Sequence, residues 1–175
     1  MLRPSQAVLD GVGVLARLGL AAVWLISGAL KISEPGQTYI AVQAYDVLPH
    51  VLVGPVATML PLLELLLGLF LLAGLWTRQV AGASLLLLLV LIAGIAQSWA
   101  RGLSIDCGCF GGGGQVAPGQ TEYPQEILRD SGFLLLAVWL LVRPSSWFSV
   151  DRWLGRGRGN SAAPAPDYSE VPEGN

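Results

Sequence analysis

The stretch VAGASLLLLLVLIAGIAQSWA, residues 80–100, carries no charged side chain and decides the fold class of this chain. A helix needs roughly 20 mostly apolar residues to cross a bilayer, and this stretch is long enough by itself. A second stretch, residues 51–75, has Glu64 as its only charge. Together the two stretches predict a pair of membrane-spanning helices joined by a tight turn at Arg78.

Two less apolar segments extend this pair to four helices. The first, residues 11–31, contains Arg17, and the last, residues 125–143, follows Pro124 and is stopped by Pro144. The prediction is therefore an all-α integral membrane protein, an antiparallel four-helix bundle over residues 11–143. Residues 1–10 form a short N-terminus, and residues 144–175, rich in Gly, Pro and scattered charges, are predicted to be a largely disordered tail.

Composition excludes other classes of protein. Hydrophobic residues make up 53% of the chain and charged residues 13%, with a mean hydropathy of +0.60, which does not describe a soluble globular domain. The formal net charge of -2 and the absence of a Lys/Arg block exclude nucleic acid as a partner. The predicted partner is the lipid bilayer.

The distribution of Lys and Arg predicts the orientation, because cytoplasmic loops hold the excess of these residues. One side of the four helices receives Arg3, Arg78, Arg143, Arg152, Arg156 and Arg158, whereas the other receives Lys31, Arg101 and Arg129. Both termini are therefore predicted to be cytoplasmic in a multi-pass protein of the plasma or inner membrane. The connections 32–50 and 101–125 then lie on the extracytoplasmic side.

Two charged residues fall inside the predicted spans at similar depths. If Lys31 and Val51 mark the outer ends of the first two helices, Arg17 and Glu64 each lie roughly 20 Å below that surface. Because an unpaired charge at this depth is costly, we predict a contact between Arg17 and Glu64. Such a contact would either fix the register of the two helices or serve as a proton relay.

The connection 33–50 is predicted to contain a short helix, since its apolar residues recur at roughly helical spacing. That helix would lie on the membrane surface or simply cover the bundle. Gly111 to Gly114, in the other long connection, indicate a flexible linker, because no Lys-Ser/Thr pair follows them as in a phosphate loop.

The chain has two cysteines, Cys107 and Cys109, separated only by Gly108. A zinc site would need three or four protein ligands, and His50, the chain's one histidine, lies in the other connection. Asp106, Glu122 or a second subunit would have to complete the site, so we predict no metal. The pair could also be two inert thiols, but neighbouring thiols outside the membrane tend to oxidise. A reversible dithiol and disulfide is the favoured interpretation.

Gly108 suits such a pair because glycine reaches unusual dihedral angles at little cost and lets the chain close a small ring. Asp106 would disfavour a thiolate at Cys107, whereas Arg101 would favour one, so the residues leave open which sulfur attacks.

The order of elements resembles the MauE/DoxX family of small redox-associated membrane proteins, over roughly residues 13–142. The most specific part is Arg101 followed by the string Cys107-Gly108-Cys109-Phe110-Gly111. The other matching positions are Gly28, Lys31, Tyr45, Leu48, Pro49, Glu64 and Gly68. The resemblance implies a four-helix membrane protein that handles thiols and disulfides in the cell envelope, as MauE-like proteins do in maturing a disulfide-rich dehydrogenase subunit beside a thioredoxin-like partner.

We therefore predict that a Cys107–Cys109 disulfide accepts electrons from a substrate or a thioredoxin-like dithiol. The reoxidant would be a partner oxidoreductase or a membrane quinone docked near Trp99 and Phe110; no other cofactor is expected. The supporting residues are Arg17, Glu64, Arg101, Asp106, Gly108 and Phe110. The alternative is a non-catalytic subunit or assembly factor of a membrane redox complex, in which the two cysteines form a static clip. Substrate protein, direction of electron flow and oligomeric state are left open.

Overall fold

A computed structural model describes residues 6–143 of the chain, and the predicted disordered tail at residues 144–175 lies outside this range. The described part is mainly helical, with one small hairpin in the connection between α4 and α5. The helices are α1 (Gln6–Ser33), α2 (Pro35–Ala44), α3 (His50–Ala73), α4 (Thr77–Ala100) and α5 (Tyr123–Val142). Two short antiparallel strands, β1 (Ile105–Asp106) and β2 (Gly114–Gln115), lie between α4 and α5.

Three of the helices are long and apolar enough to cross a membrane: Val8–Ser33, His50–Ala73 and Thr77–Ala100. The predicted fourth helix exists as α5, with Pro124 in its first turn and its end just before Pro144, but it is less apolar than the other three. Large apolar side chains such as Leu66, Leu69 and Leu86 are about half exposed or more, which fits contact with lipid.

The long helices pack in two antiparallel pairs, α1 with α3 and α4 with α5, and α1 also packs on α5. In the first pair, a Cβ on Gly28 would come within 2.9 Å of Leu65, and a Cβ on Gly68 within 2.7 Å of Leu25. The two backbones therefore approach closely at small residues, as is common between membrane helices.

The middle of the bundle is filled by fully buried side chains from all four long helices, including Leu20, Leu71, Leu88 and Leu140. Trp24 is also buried, and its indole Nε1 donates a hydrogen bond of 2.9 Å to Ser84 Oγ across the bundle. A buried indole N–H needs such a partner, so this bond ties α1 to α4.

The ends of α1 and α3 are not level. Because Gly28 lies beside Pro61 and Leu65, α3 extends roughly 12 Å beyond the end of α1 at a rise of 1.5 Å per residue. Helix α2, the helix predicted in the connection 33–50, packs against this extension of α3, with Thr38 and Ala41 buried. The loop that carries the two cysteines lies over the end of α1, where the carbonyl of Cys109 contacts Ser27 and Lys31.

Candidate functional site

The cysteine loop, residues 105–115, is held closed by the pairing of β1 with β2 and by a bridge between Cys109 and Gly111. Gly108 has a φ of +67°, so the predicted bend at this glycine is confirmed. Gly113, with a φ of +98°, packs so tightly that an added Cβ would lie 2.6 Å from the Cβ of Ala41 in α2. The predicted flexible linker at residues 111–114 is therefore wrong: these glycines fold back onto the cysteine turn.

Both cysteines are free thiols and are buried, with 8% of Cys107 and 7% of Cys109 exposed. Cys107 Sγ receives two hydrogen bonds, from the backbone N–H of Cys109 at 3.4 Å and from Arg129 Nη2 at 3.8 Å. The two cysteines thus differ in their surroundings, since the donors converge on Cys107.

The hydrogen bond with Cys107 raises the pKa of the Cys109 thiol well above its ordinary value, and burial adds to this effect. Cys109 is therefore protonated at neutral pH when the pair is reduced. An N–H and a guanidinium directed at Cys107 would stabilise a thiolate at that sulfur.

A pocket of about 390 Å³ opens onto the two cysteines. Its wall combines the loop with the first turns of α5. The lining residues are Asp106, Cys107, Cys109, Phe110, Gly111, Glu122, Gln125, Glu126 and Arg129. The two cysteines therefore face a space whose lining residues are mostly polar.

The first two turns of α5 supply the groups nearest to Cys107. Glu126 Oε1 accepts the backbone N–H of Cys107 at 3.4 Å. The guanidinium of Arg129 lies 4.8 Å from the centre of the Phe110 ring and 3.1 Å from Asp130 Oδ1. These contacts fix the position of Arg129 beside the sulfur.

Tyr45, at the end of α2, supports the loop from the opposite side. Its hydroxyl donates a hydrogen bond of 3.1 Å to the carbonyl of Cys107. Burial raises the pKa of this phenol, so the hydroxyl keeps its proton and remains a donor.

A buried ionic cluster lies directly beneath Cys109. Lys31 Nζ is 2.9 Å from Glu64 Oε1 and 3.0 Å from Glu64 Oε2, and both side chains are at least nine-tenths buried. Ser27 Oγ lies 3.0 Å from Glu64 Oε2 and 2.6 Å from the carbonyl oxygen of Cys109, to which Lys31 Nζ also donates at 3.3 Å. The cysteine loop is therefore anchored to charges inside the helix bundle.

The predicted contact between Arg17 and Glu64 is wrong, because Lys31 and Ser27 bind the Glu64 carboxylate. Arg17, although buried, lies about 15 Å along α1 from Ser27. The prediction measured depth from helix ends assumed to be level, whereas α3 begins well beyond the end of α1.

The other predicted residues divide into two groups. Asp106, Gly108 and Phe110 lie in the loop with the cysteines, and Glu64 reaches the loop through Lys31. Arg101 instead pairs with Asp46 at 2.7 Å on the exposed surface. The aromatic rings proposed to flank a quinone have separate neighbours: Trp99 lies 6.2 Å from Tyr123, and Phe110 lies 6.2 Å from Phe133.

Sequence reasoning assigned none of five residues to the surroundings of the cysteines, although Lys31 and Tyr45 were among the positions that carry the family resemblance. Ser27 and Lys31 could have been linked by their i,i+4 spacing on one helix face, and Glu126 and Arg129 by their i,i+3 spacing at the start of α5. No local pattern indicated the contact between Tyr45 and Cys107.

Comparison with known proteins gives one result. Residues 9–143 match the model of the family described as methylamine utilisation protein MauE. The match covers the helical bundle except for the first three residues of α1, and it confirms the MauE part of the resemblance; it does not extend to DoxX. No curated protein and no solved structure matched the chain.

Proposed function

Because the chain belongs to the MauE family of methylamine utilisation proteins, we propose that this multi-pass membrane protein carries out thiol–disulfide exchange at Cys107 and Cys109. The partner would be a thioredoxin-like protein or a disulfide-containing protein under maturation in the cell envelope. One observation carries the proposal: Arg129 and the N–H of Cys109 both donate to Cys107 Sγ, in a pocket where the second thiol is adjacent.

Cys107 is the attacking sulfur in this proposal. A thiolate, rather than a thiol, is the nucleophile in exchange, and its formation is favoured by nearby cations and N–H donors. Cys107 has both, whereas the pKa of Cys109 is raised by its hydrogen bond with Cys107 and by burial. Cys109 therefore acts as the resolving thiol.

The exchange balances without any further reactant. The Cys107 thiolate attacks one sulfur of the partner's disulfide, that S–S bond breaks, and the released partner thiolate takes up a proton. Cys109, on losing its proton, then attacks Cys107 Sγ and releases the second partner thiol. Two electrons and two protons have moved to the partner, and the reverse sequence oxidises a partner dithiol.

The same proposal places the cysteine loop on the extracytoplasmic side. Arg78, at the opposite end of the bundle, lies in the first turn of α4, and the excess of Arg at this end indicates the cytoplasmic side. The loop end would then face the compartment where disulfides persist.

The exchange is tested with the purified full chain in detergent. We expect the reduced chain to lose two thiols when mixed with an oxidised thioredoxin-like protein, which gains two. The proposal is contradicted if the chain exchanges disulfides neither with a thioredoxin-like protein of high reduction potential nor with one of low reduction potential.

The burial of both cysteines favours a second candidate, a non-catalytic subunit in which a Cys107–Cys109 disulfide is a static clip. The two candidates differ in reduction potential. Structural disulfides have potentials below about −300 mV, whereas exchanging ones are higher. A value well above that limit supports exchange, and a value below it supports the clip.

Replacing Arg129 with Gln should slow the alkylation of Cys107 in the reduced chain. The substitution removes the positive charge and the donor 3.8 Å from the sulfur. Less of Cys107 would then be thiolate, the reactive form, so the reaction should be several-fold slower at neutral pH. The measurement is the rate of iodoacetamide modification in a Cys109→Ser background.

Arg101→Gln is the matched control for this experiment, since Arg101 pairs with Asp46 and is exposed. Cys107 should be alkylated at the same rate with Arg101→Gln as in the Cys109→Ser chain without it. Equal rates for the Arg129 and Arg101 variants would show that Arg129 does not activate Cys107.

A further inference from the structure

Three potential metal ligands meet at the wall of the cysteine pocket. A carboxylate oxygen of Asp106, the sulfur of Cys107 and a carboxylate oxygen of Glu126 all lie within 4.8 Å of one another. The first two are neighbours in the loop, but Glu126 comes from α5 and is brought to them only by the fold. This is why the sequence, with two cysteines and one histidine, indicated too few ligands.

Glu126 has a free acceptor at this place. It is 8% exposed, its Oε1 receives the long bond from Cys107 N, and its Oε2 is buried without a hydrogen-bond partner among residues 6–143. Burying a carboxylate oxygen without a partner is costly, so such an atom requires an explanation. A bound cation would supply the missing interaction.

The charge around the pocket also favours a cation. Asp106, Glu122 and Glu126 line it together with a single cationic residue, Arg129. The Nε of Arg129 is engaged by Asp130, and its Nη2 is directed at Cys107 Sγ. A thiolate at Cys107 would add a further negative charge.

We propose that the reduced chain binds one Zn²⁺ through Asp106, Cys107 and Glu126. Thiolate and carboxylate ligands together suit zinc, whereas Mg²⁺ and Ca²⁺ prefer oxygen ligands alone. With three protein ligands, the fourth position would face the pocket of about 390 Å³ and take water or a partner's group.

Zinc and the disulfide exclude each other, because Cys107 cannot be a thiolate ligand and a disulfide partner at once. Zinc would therefore hold the pair reduced and block attack by Cys107. The binding itself does not rest on the proposed exchange, so the two can fail separately.

The test is calorimetric titration of the reduced full-length chain in detergent with Zn²⁺ alone. The Cys109→Ser variant, which keeps the three ligands and cannot close the disulfide, should bind one Zn²⁺. With zinc bound, its Cys107 should no longer react with iodoacetamide. Adding Glu126→Gln should weaken binding at least about tenfold, since even outer-shell changes cost 10- to 100-fold. Glu122→Gln, at the same pocket but outside the three-ligand cluster, removes one negative charge and no ligand, so it should weaken binding much less than Glu126→Gln does. Mg²⁺ should not compete.

Asp106→Asn gives a second variant should Glu126→Gln fail to fold. Asparagine can still accept the N–H of Gly108 that Asp106 Oδ1 accepts at 3.0 Å, but it is a poorer zinc ligand. The proposal is overturned if the Cys109→Ser chain takes up no zinc, or if its affinity is the same with Glu126→Gln or Asp106→Asn. Zinc binding without thiol exchange would overturn only the proposed function.

Discussion

Replacing Glu64 with Gln is expected to lower the free energy of unfolding by about 3–5 kcal/mol, the range found when one partner of a buried ion pair is removed. The change leaves Lys31, only 8% exposed, without its counter-charge between two membrane helices. Because Lys31 also donates to the carbonyl of Cys109, the loss should reach the cysteine loop and speed the alkylation of both thiols. The measurement is unfolding in mixed detergent micelles, followed by circular dichroism.

Two controls distinguish the stability cost of leaving a buried charge unpaired from the cost of losing an ion pair as such. Arg101→Gln breaks an ion pair of similar length, 2.7 Å, whose side chains are 42% and 75% exposed, and should cost less than about 1 kcal/mol. Adding Lys31→Met to Glu64→Gln should recover part of the stability, since no unpaired charge remains. A Glu64→Gln chain as stable as Arg101→Gln would mean that the buried pair does not hold the bundle together.

Replacing Gly113 with Ala is expected to open the cysteine loop. The new Cβ would lie 2.6 Å from Ala41 Cβ and 2.9 Å from Gly108 Cα, at a φ of +98° that an L side chain rarely adopts. Overpacking alone costs about 1–3 kcal/mol, and the strained backbone adds to it. We expect the thiols to be alkylated at least about tenfold faster, since 1.4 kcal/mol of loop stability corresponds to that factor.

Gly119→Ala is the matched control, because Gly119 has a similar φ of +87° but open space around its Cβ position. It carries the backbone strain without the clash. If both variants react alike, the close stacking of Gly113 on Gly108 and Ala41 contributes nothing to the loop, and only glycine's backbone freedom matters.

Much of the fold followed from the sequence because hydrophobic runs and prolines act locally. The uncharged run at residues 80–100 lies within α4, and α5 has Pro124 in its first turn and ends before Pro144, as predicted. The cysteine turn was also predictable, since Gly108 between two cysteines indicates a bend that the positive φ confirms.

What the sequence did not reveal depends on contacts between distant segments. Lys31 was treated as the end of a helix, yet α3 extends beyond the end of α1, and this offset places Lys31 beside Glu64. Arg129 was used only to predict the orientation and Glu126 was not singled out, and only the packing of α5 against the loop brings them to Cys107. Hydropathy measures length and depth along each helix and contains no information on such offsets.

The central claim is that Cys107 exchanges disulfides with another protein, and trapping in cells tests it most directly. In the Cys109→Ser chain the resolving thiol is absent, so we predict a mixed disulfide between Cys107 and a thioredoxin-like partner. It would be seen as a species of higher molecular mass that a reductant separates into the two proteins. Cys107→Ser should trap much less of it. The absence of any mixed disulfide in the Cys109→Ser chain, together with full function of the Cys107→Ser/Cys109→Ser chain, would contradict the account.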